Sequence, residues 1–577
     1  MNVIDFRASR CRHCYKCVRA CSLKAIRVKD GHAGVLADRC ILCGRCLSVC
    51  PQNAKTVHSE RGKAAGFLKE GIPVIASVAP SESEMFAGAG RGRLVCALKK
   101  LGFAAVRETS EGAAFVTREY KRQIEAGGRK NLLTTCCPGA VELVEKYYPS
   151  QIGALLPVVS PMTAHARLLK EEADGPVRVV FLGPCIAKKR EAADERNPGG
   201  ADAVLTFQEL EDWLEEEGIA LKDCEPSEFD NPDPAVNRLY PATGGILASL
   251  AAFGTDFGPY RRLAVDGLDS CMRLLEDMEN GKVENCLIEL SICEDGCLNG
   301  PAAPKAKSSL YQMKADLKRD VSKKETDSDW FAGRAEPKLA REFADRHMEE
   351  PRPSEEEIRD ILRRIGKMTG ADELNCGACG YPSCRAKAVA VYQGKAEIEM
   401  CIPYMHEKAE SLANVVMDTT PNAVLLIAPN MDIREASASA RRLFGKNGAQ
   451  IVGRNLKEFI VTEAVEQVFA SHENRYTEKH EYLEFGRIVL QTLVYVKELD
   501  MVLAIFVDIT EEEERARKDQ EQRLEMVAMA QKVIDRQMMV AQEIAGLLGE
   551  TTAETKVTLT KISRSLLEET PERGNRL

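Results

Sequence analysis

The apolar and polar positions of the chain change period several times, and each change marks an element. Val74–Val78 and Arg178–Leu182 are short β-branched runs that end against Pro or Gly, with amphipathic stretches such as Ala140–Tyr148 between them. That alternation predicts a mixed α/β region in the middle of the chain. Residues 301–353 are rich in Lys, Asp and Glu and end on Pro351 and Pro353, which reads as surface structure running into a linker. Ser354 and Glu357 then form a capping-box pattern ahead of the stripe Ile358, Ile361, Leu362 and Ile365, and Gly366 stops the predicted helix. Further on, Asn422–Ala428 reads as a strand, and Leu483–Val496 with Met501–Val507 as a pair of strands. A charged helix is predicted from about Glu511. Its positions Met526, Ala530, Val533, Gln537, Val540, Ile544 and Leu547 alternate spacings of four and three, a coiled-coil seam with one polar place.

The length of 577 residues allows about three to five domains. Apolar residues make up 44% and charged residues 29%, a globular profile. A net charge of −9 gives no sign of a nucleic-acid or anionic-membrane partner. No run approaches the roughly 18 apolar residues of a membrane span. The first residues lack a long apolar core and reach Cys11 almost at once, so no secretory signal is expected. The number that changes the picture is 21 cysteines, odd and clustered. A disulfide scaffold would be small and secreted, so metal ligation in a reducing cytoplasm is the expectation.

Cys11-x₂-Cys14-x₂-Cys17-x₃-Cys21 is followed by Cys40-x₂-Cys43-x₂-Cys46-x₃-Cys50-Pro51. Two such runs are the ligation pattern of bacterial two-cluster ferredoxins, in which the fourth cysteine of each run serves the other cluster. The expected sets are Cys11, Cys14, Cys17 and Cys50 for one [4Fe–4S] cluster, and Cys40, Cys43, Cys46 and Cys21 for the other. The alternative is a pair of zinc knuckles. By itself this module implies electron transfer.

Three dispersed segments carry cysteines beside Pro or Gly: Thr134-Thr135-Cys136-Cys137-Pro138-Gly139, Gly183-Pro184-Cys185-Ile186-Ala187-Lys188, and Cys293-Glu294-Asp295-Gly296-Cys297. Ligands this far apart must be gathered by the fold. The residues alone indicate one buried cluster with a lysine nearby. In order and separation the segments resemble the three signature motifs of the [FeFe]-hydrogenase catalytic domain, over roughly residues 70–345, with Ala79-Pro80-Ser81 resembling its first strand end. The resemblance implies that Cys137, Cys185, Cys293 and Cys297 hold the cubane of an H-cluster. Cys297 would also bridge to a diiron subsite carrying CO, CN and a bridging azadithiolate. Lys188, and with it Pro80 and Ser81, would contact that subsite. Cys136 would be the proton relay, with Glu119 the next carrier outward. Thiol chemistry suits the relay, because proton transfer needs a nearby group of adjustable pKa.

The chain departs from the turnover pattern at Gly183 and Ser291, where Met is usual. It departs again at Met162, where Gln is common, and at Leu156 and Val116, which align with polar members of the usual proton path. The cluster ligands are intact and their surroundings rebuilt, which implies a slower, retuned site. The alternative is a relative of the eukaryotic iron–sulfur assembly factors, which keep the cubane cysteines without the diiron subsite; Cys136 and Lys188 would have no task there. Cys96, Cys224, Cys271 and Cys286 read as buried structural thiols.

Cys376-x₂-Cys379-x₄-Cys384-x₁₆-Cys401 resembles the small single-[4Fe–4S] domain of corrinoid proteins and redox subunits, with zinc as the alternative metal. Residues 410–510, ending in Val507-Asp508-Ile509-Thr510-Glu511, resemble a PAS domain, read here as a dimerising module. The expected organisation is a multidomain α/β chain. A 2[4Fe–4S] ferredoxin-type α+β domain spans 1–62 and an α/β hydrogenase domain 63–349. A small α-rich Fe–S domain spans 350–408 and an α+β PAS domain 409–510, and a coiled-coil helix and tail fill 511–577.

That order resembles the sensory [FeFe]-hydrogenases of anaerobic bacteria. The resemblance implies four [4Fe–4S] clusters plus the diiron subsite, slow interconversion of H₂ with protons and electrons, and a signal passed through the PAS domain. A ferredoxin-type reaction (H₂ + 2 oxidised ferredoxin = 2 reduced ferredoxin + 2 H⁺), hydrogenase maturation proteins, a homodimer through PAS and coil, and a separate kinase or phosphatase as output partner go with it. A metabolic ferredoxin-linked hydrogenase and a non-catalytic iron–sulfur electron-transfer protein are the other readings.

Overall fold

The computed structural model describes residues 3–82, 86, 91–303, 309–321, 328–444, 450–472, 476–482, 486–545 and 552–568. They form two compact units, Met1–Met405 and His406–Leu577.

In the first unit, the N-terminal segment pairs Ile4–Phe6 with Lys55–Val57 and Ile26–Lys29 with His32–Val35, both antiparallel. Two short helices, Lys16–Ala20 and Arg45–Ser48, start within the two cysteine runs. Two parallel sheets follow. One has the spatial order Ala105–Glu108, Val74–Val78, Arg178–Gly183, Ala203–Thr206. The other runs Arg261–Asp266, Cys286–Ser291, Asn131–Leu133. Val74–Val78, Arg178–Gly183 and Cys286–Ser291 are apolar almost throughout because helices cover both faces. The helices Pro138–Tyr147 and Pro161–Glu172 each begin on a proline, whose missing N–H costs nothing in a first turn.

The capping box of Ser354 and Glu357 opens a helix over Glu355–Arg364, and Ile358, Ile361 and Leu362 are its buried stripe. This segment does not stand apart. Val18, Ile26 and Val28 share one apolar core with Cys379, Tyr381, Ala390, Ala396 and Met400, so the N-terminal and single-cluster segments fold against each other.

Beside the four-stranded sheet His165 is wholly buried, with Ser77 Oγ at 2.8 Å and Glu111 at 3.1 Å. Arg107 and Arg334 both donate to the same Glu111 carboxylate. Burial, reinforced by the two guanidinium charges, holds the imidazole below its ordinary range. Against the cost of burial, hydrogen bonds from His165 and Arg107 bring Glu111 down to about 2. Below pH 6.5 the unfolded chain binds a proton that folded His165 refuses. Stability present above that pH is therefore lost as pH falls, by up to about 1.4 kcal/mol per unit. Loss through Glu111 belongs to a separate window below about pH 4. Trp213 and Trp330, the two tryptophans, both lie in this unit and report its unfolding. Urea midpoints followed by their fluorescence should drop between pH 7.5 and 5.5 in the wild type and drop less in His165→Asn; equal drops would contradict the assignment.

The second unit contains a five-stranded antiparallel sheet in the order Ile433–Ala436, Ala423–Ile427, Met501–Asp508, Arg487–Val496, Tyr476–Tyr482. The run expected as one strand over Leu483–Val496 starts at Arg487, and Leu483 lies outside the described residues. Leu425, Ile427, Val489, Leu493, Val502 and Phe506 fill the core. A helix spans Thr510–Ala545. Where a single helix and tail were expected after it, a second helix, Thr552–Glu568, packs back against the first, with Ser563 Oγ donating to Gln531 Oε1 at 3.2 Å. Met526, Val533, Val540 and Ile544 of the expected seam are exposed, and Leu547 lies outside the described residues. Among the described residues no helix is long and apolar enough to cross a membrane.

Candidate metal centre

Four strand ends build the site. Pro80 and Ser81 follow Val74–Val78, Cys136 and Cys137 follow Asn131–Leu133, Cys185 follows Arg178–Gly183, and Cys293 follows Cys286–Ser291. In parallel sheets the carboxyl ends of strands are where ligands bind, because the chain turns there into loops that converge. The loops enclose a cavity of about 110 Å³ bounded by Cys137, Cys185, Cys293 and Cys297, with Cys136 and Lys188 on its wall.

Burial pushes the Cys185 thiol up to about 11 and raises Cys293 and Cys297 further, with the neighbouring sulfurs adding to each. Four thiolates cannot share so dry a space unless a cationic centre compensates them, which is what an iron–sulfur cubane does. Ser81 Oγ is buried in the same cavity with no hydrogen-bond partner among the described residues. An orphaned hydroxyl and a set of crowded thiols fit a bound cluster with polar ligands.

Lys188 Nζ donates to the Cys136 carbonyl at 3.2 Å and to Glu191 at 2.7 Å; Arg341 holds the other Glu191 oxygen at 2.9 Å. Two of its three N–H groups thus hold the lysine in place at the cavity wall. Cys136 is pushed up to about 12 by burial, so it stands as a thiol that can donate a proton. Its Sγ lies 3.3 Å from Tyr120 Oη, which meets Thr135 Oγ1 at 2.9 Å; Thr135 in turn donates to the Val158 carbonyl at 2.7 Å.

Glu119, the residue expected to carry protons onward, is one position away on the Ser110–Ala126 helix, bound to Arg122 and Gln123. The helix turns Tyr120, not Glu119, toward Cys136. Sequence reasoning missed Tyr120 and also Glu289. Glu289 alternates with the core residues Ile288 and Leu290, so it faces the opposite side of its strand. There its carboxylate accepts from the amides of Gly244, Ile246 and Leu247. Burial pushes it up to about 7 despite those bonds, and its charge acts on Cys136. A lone Glu inside the apolar run Cys286–Ser291 was the available signal.

One departure acquires a structural reason. A Cβ on Gly183 would sit 2.7 Å from the Phe181 ring, so that ring occupies the place of the usual larger side chain. Met162 and Ser291 both line the cavity.

In the N-terminal segment, Cys21, Cys40 and Cys43 act on the Cys46 thiol, and Cys17 acts on Cys21, so sulfurs of the two runs lie close together. Buried Lys55 donates to Cys17 Sγ at 3.4 Å. Gly44, at φ +77°, approaches Pro301 so closely that a Cβ would stand 2.1 Å from its ring. The second cysteine run is thereby pressed onto the loop after Cys297, and Cys43 acts electrostatically on Cys293. Cys376, Cys379, Cys384 and Cys401 line one small pocket with Lys387. Of the remaining cysteines, Cys224, Cys271 and Cys286 are buried, and Cys96 is half-buried against Cys224.

Comparison with known proteins agrees with this layout. The model of the iron only hydrogenase large subunit, C-terminal domain, matches residues 72–301. A 4Fe-4S dicluster domain matches 3–63, an Fe-S cluster family 372–403, and the PAS fold 413–513. Iron hydrogenase 1 of Clostridium pasteurianum is 26% identical over 383 residues, covering 49% of this chain and 66% of that protein. Cytosolic iron-sulfur assembly component 3 of Mus musculus is 26% identical over 352 residues, covering 48% and 72%. A solved [FeFe]-hydrogenase captured during stepwise H-cluster assembly aligns at 20% identity and a TM-score of 0.42, over 50% of this chain and all of that one. The chain spans 66% and 57% of the length of two hydrogenase relatives. It carries an iron-hydrogenase-like domain, a dicluster 4Fe–4S domain and a PAS domain.

Proposed function

We propose that this protein interconverts H₂ with protons and electrons at an H-cluster, slowly, and that the state of its clusters serves as a H₂ or redox signal read through the PAS domain. The observation that carries the reading is the convergence of Cys137, Cys185, Cys293 and Cys297 on one cavity whose wall also presents Cys136, Lys188 and the unpartnered Ser81. When bound, the diiron group supplies the cleavage or formation of H₂. The four cysteines hold the adjoining cubane. Lys188, fixed by Glu191, and Ser81 offer donors to polar ligands of the group. Cys136 holds a proton at Sγ beside them, on a largely apolar wall. Ferredoxin-type partners, maturation proteins and a separate output protein belong to the same reading.

Infrared spectroscopy of the matured protein tests it: CO and CN⁻ stretching bands that shift under H₂ are expected, and their absence would overturn it. The similarity to cytosolic iron–sulfur assembly components supports a second reading, a non-catalytic iron–sulfur protein. Iron content separates the two. Sixteen of the cysteines fall in the four ligand sets. An anaerobic, fully matured sample should therefore hold about eighteen irons, four cubanes and a diiron pair. About sixteen irons without infrared bands would favour the second reading, and about eight, with only the N-terminal pair of cubane signals, would sink the first reading together with the ligand sets beyond residue 50.

A further inference from the structure

The single-cluster segment meets the N-terminal segment through a built contact. One arm of Arg19 donates to the Ala378 carbonyl at 2.7 Å and the other to the Cys14 carbonyl at 2.9 Å, so one guanidinium ties the two cysteine loops together. Lys24, three residues after Cys21, donates to the Gly380 carbonyl at 2.7 Å and to the Val18 carbonyl at 3.2 Å. Its ammonium lies 5.6 Å from the centre of the Tyr381 ring. Gly380 has φ +95°, and a Cβ there would stand 2.8 Å from Val18 Cγ1, so only glycine permits the approach. The far end is pinned as well. Glu397 accepts from the amides of Asp30 and Gly31, and the Val28 amide donates to the Lys395 carbonyl. Tyr381 is 4% exposed, and the charges of both Cys379 and Cys21 act on it.

The second N-terminal ligand set thus faces two ways. Gly44 presses on Pro301 in the loop after Cys297, while Lys24, three residues after Cys21, lies against Gly380 and Tyr381. We propose that the cubane of Cys21, Cys40, Cys43 and Cys46 is a branch point, and that the Cys376–Cys401 cubane is charged from it across Tyr381 and Lys24 instead of directly from the catalytic centre. Each step moves one electron: the reduced branch-point cubane is oxidised and the Cys376–Cys401 cubane is reduced. The electrons come from H₂, as H₂ → 2 H⁺ + 2 e⁻, or from a chemical reductant. The inference deepens the proposed function by naming how the catalytic state reaches the cluster that precedes the PAS domain in the chain.

Electron paramagnetic resonance of the full-length protein tests it. Reduced with dithionite, the wild type should show spin–spin splitting between the Cys376–Cys401 cubane and an N-terminal cubane, and Cys384→Ser should abolish it. Arg19→Ala/Lys24→Ala and, separately, Gly380→Val should lose the splitting and, after rapid mixing with reductant, the prompt reduction of the Cys376–Cys401 cubane. The N-terminal cubanes should still be reduced promptly. No splitting in the wild type, or wild-type reduction order in both variants, overturns the proposal. If a variant fails to assemble its cubanes, the wild-type splitting decides alone. Dithionite separates this outcome from the parent reading. Splitting under dithionite with no response to H₂ would leave the branch standing and remove the hydrogenase function. Reduction of the N-terminal cubanes by H₂, with the third left oxidised, would do the reverse.

Discussion

Replacing Cys136 by alanine should lower H₂ turnover by about 10²–10⁴-fold, the usual share of a general acid–base group, while leaving cluster assembly intact. The assembly half of the expectation follows from which atoms the neighbours use. Lys188 bonds the main-chain carbonyl of residue 136, which alanine keeps. The expected cubane ligand is the next residue, Cys137, whose place at the start of the Pro138–Tyr147 helix does not depend on the Cys136 thiol. The turnover half follows from burial. Burial pushes the Cys136 thiol up to about 12, so it holds a proton at the cavity wall that alanine cannot carry. Tyr120→Phe gives a graded companion, since it removes the one hydroxyl within 3.3 Å of the sulfur but leaves the thiol. The check is H₂ evolution with a chemical reductant, alongside the infrared bands of each variant. Unchanged evolution in Cys136→Ala with bands intact would mean that protons arrive by another way and that Cys136 only fills space.

Legibility from sequence followed the range of the interactions. The two N-terminal cysteine runs and the Cys376–Cys401 set declare themselves by spacing, because a few loop residues wrap one cluster. The capping box at Ser354 and the strands at Val74, Arg178 and Met501 are likewise local, and the structure has them within a residue or two of expectation. The dispersed cysteines are legible as one site only through resemblance, since nothing in the spacing of Cys137, Cys185 and Cys293 says that three strands end side by side. What escaped was encoded across the chain. Tyr120 reaches Cys136 because a helix face happens to turn that way, and the adjacent Glu119 drew the expectation by its chemistry. Phe181 fills the space that Gly183 vacates, a compensation visible only in three dimensions. Gly380 carries no side chain to advertise its role, yet its close approach to Val18 closes a shared core between segments more than 300 residues apart in sequence. The alternation of four and three spacings after Met526 reveals an apolar stripe, but not that Thr552–Glu568 returns along the same helix.

Truncating the chain after about residue 408 should yield a monomer that still converts H₂, whereas the full chain should be a homodimer at micromolar concentration. Every expected cluster ligand lies within Met1–Met405, and that unit has its own cores, so it should fold without the rest. The unit from His406 onward leaves a large amount of apolar side chain uncovered. Leu412, Val415 and Val416 are exposed on one helix, and Met526, Val533, Val540 and Ile544 on another. Apolar stripes repeated at helical spacing on a soluble surface are how coiled partners are recognised, and a second copy of the same chain presents the complementary stripe. Thr552–Glu568 packs on the Thr510–Ala545 helix yet leaves these residues exposed, so the intramolecular contact does not satisfy them. A stripe of about three heptads, interrupted by Gln537, is marginal, and a marginal pair is easily biased between two packings. That is the property a relay needs. In the proposed relay, a change of charge at the Cys376–Cys401 cubane would have only to favour one packing slightly. Sedimentation of both forms decides the matter. A truncated protein that stays dimeric, or a full chain that is monomeric at micromolar concentration, would strip the relay of its moving part and leave a metabolic ferredoxin-linked hydrogenase as the better description.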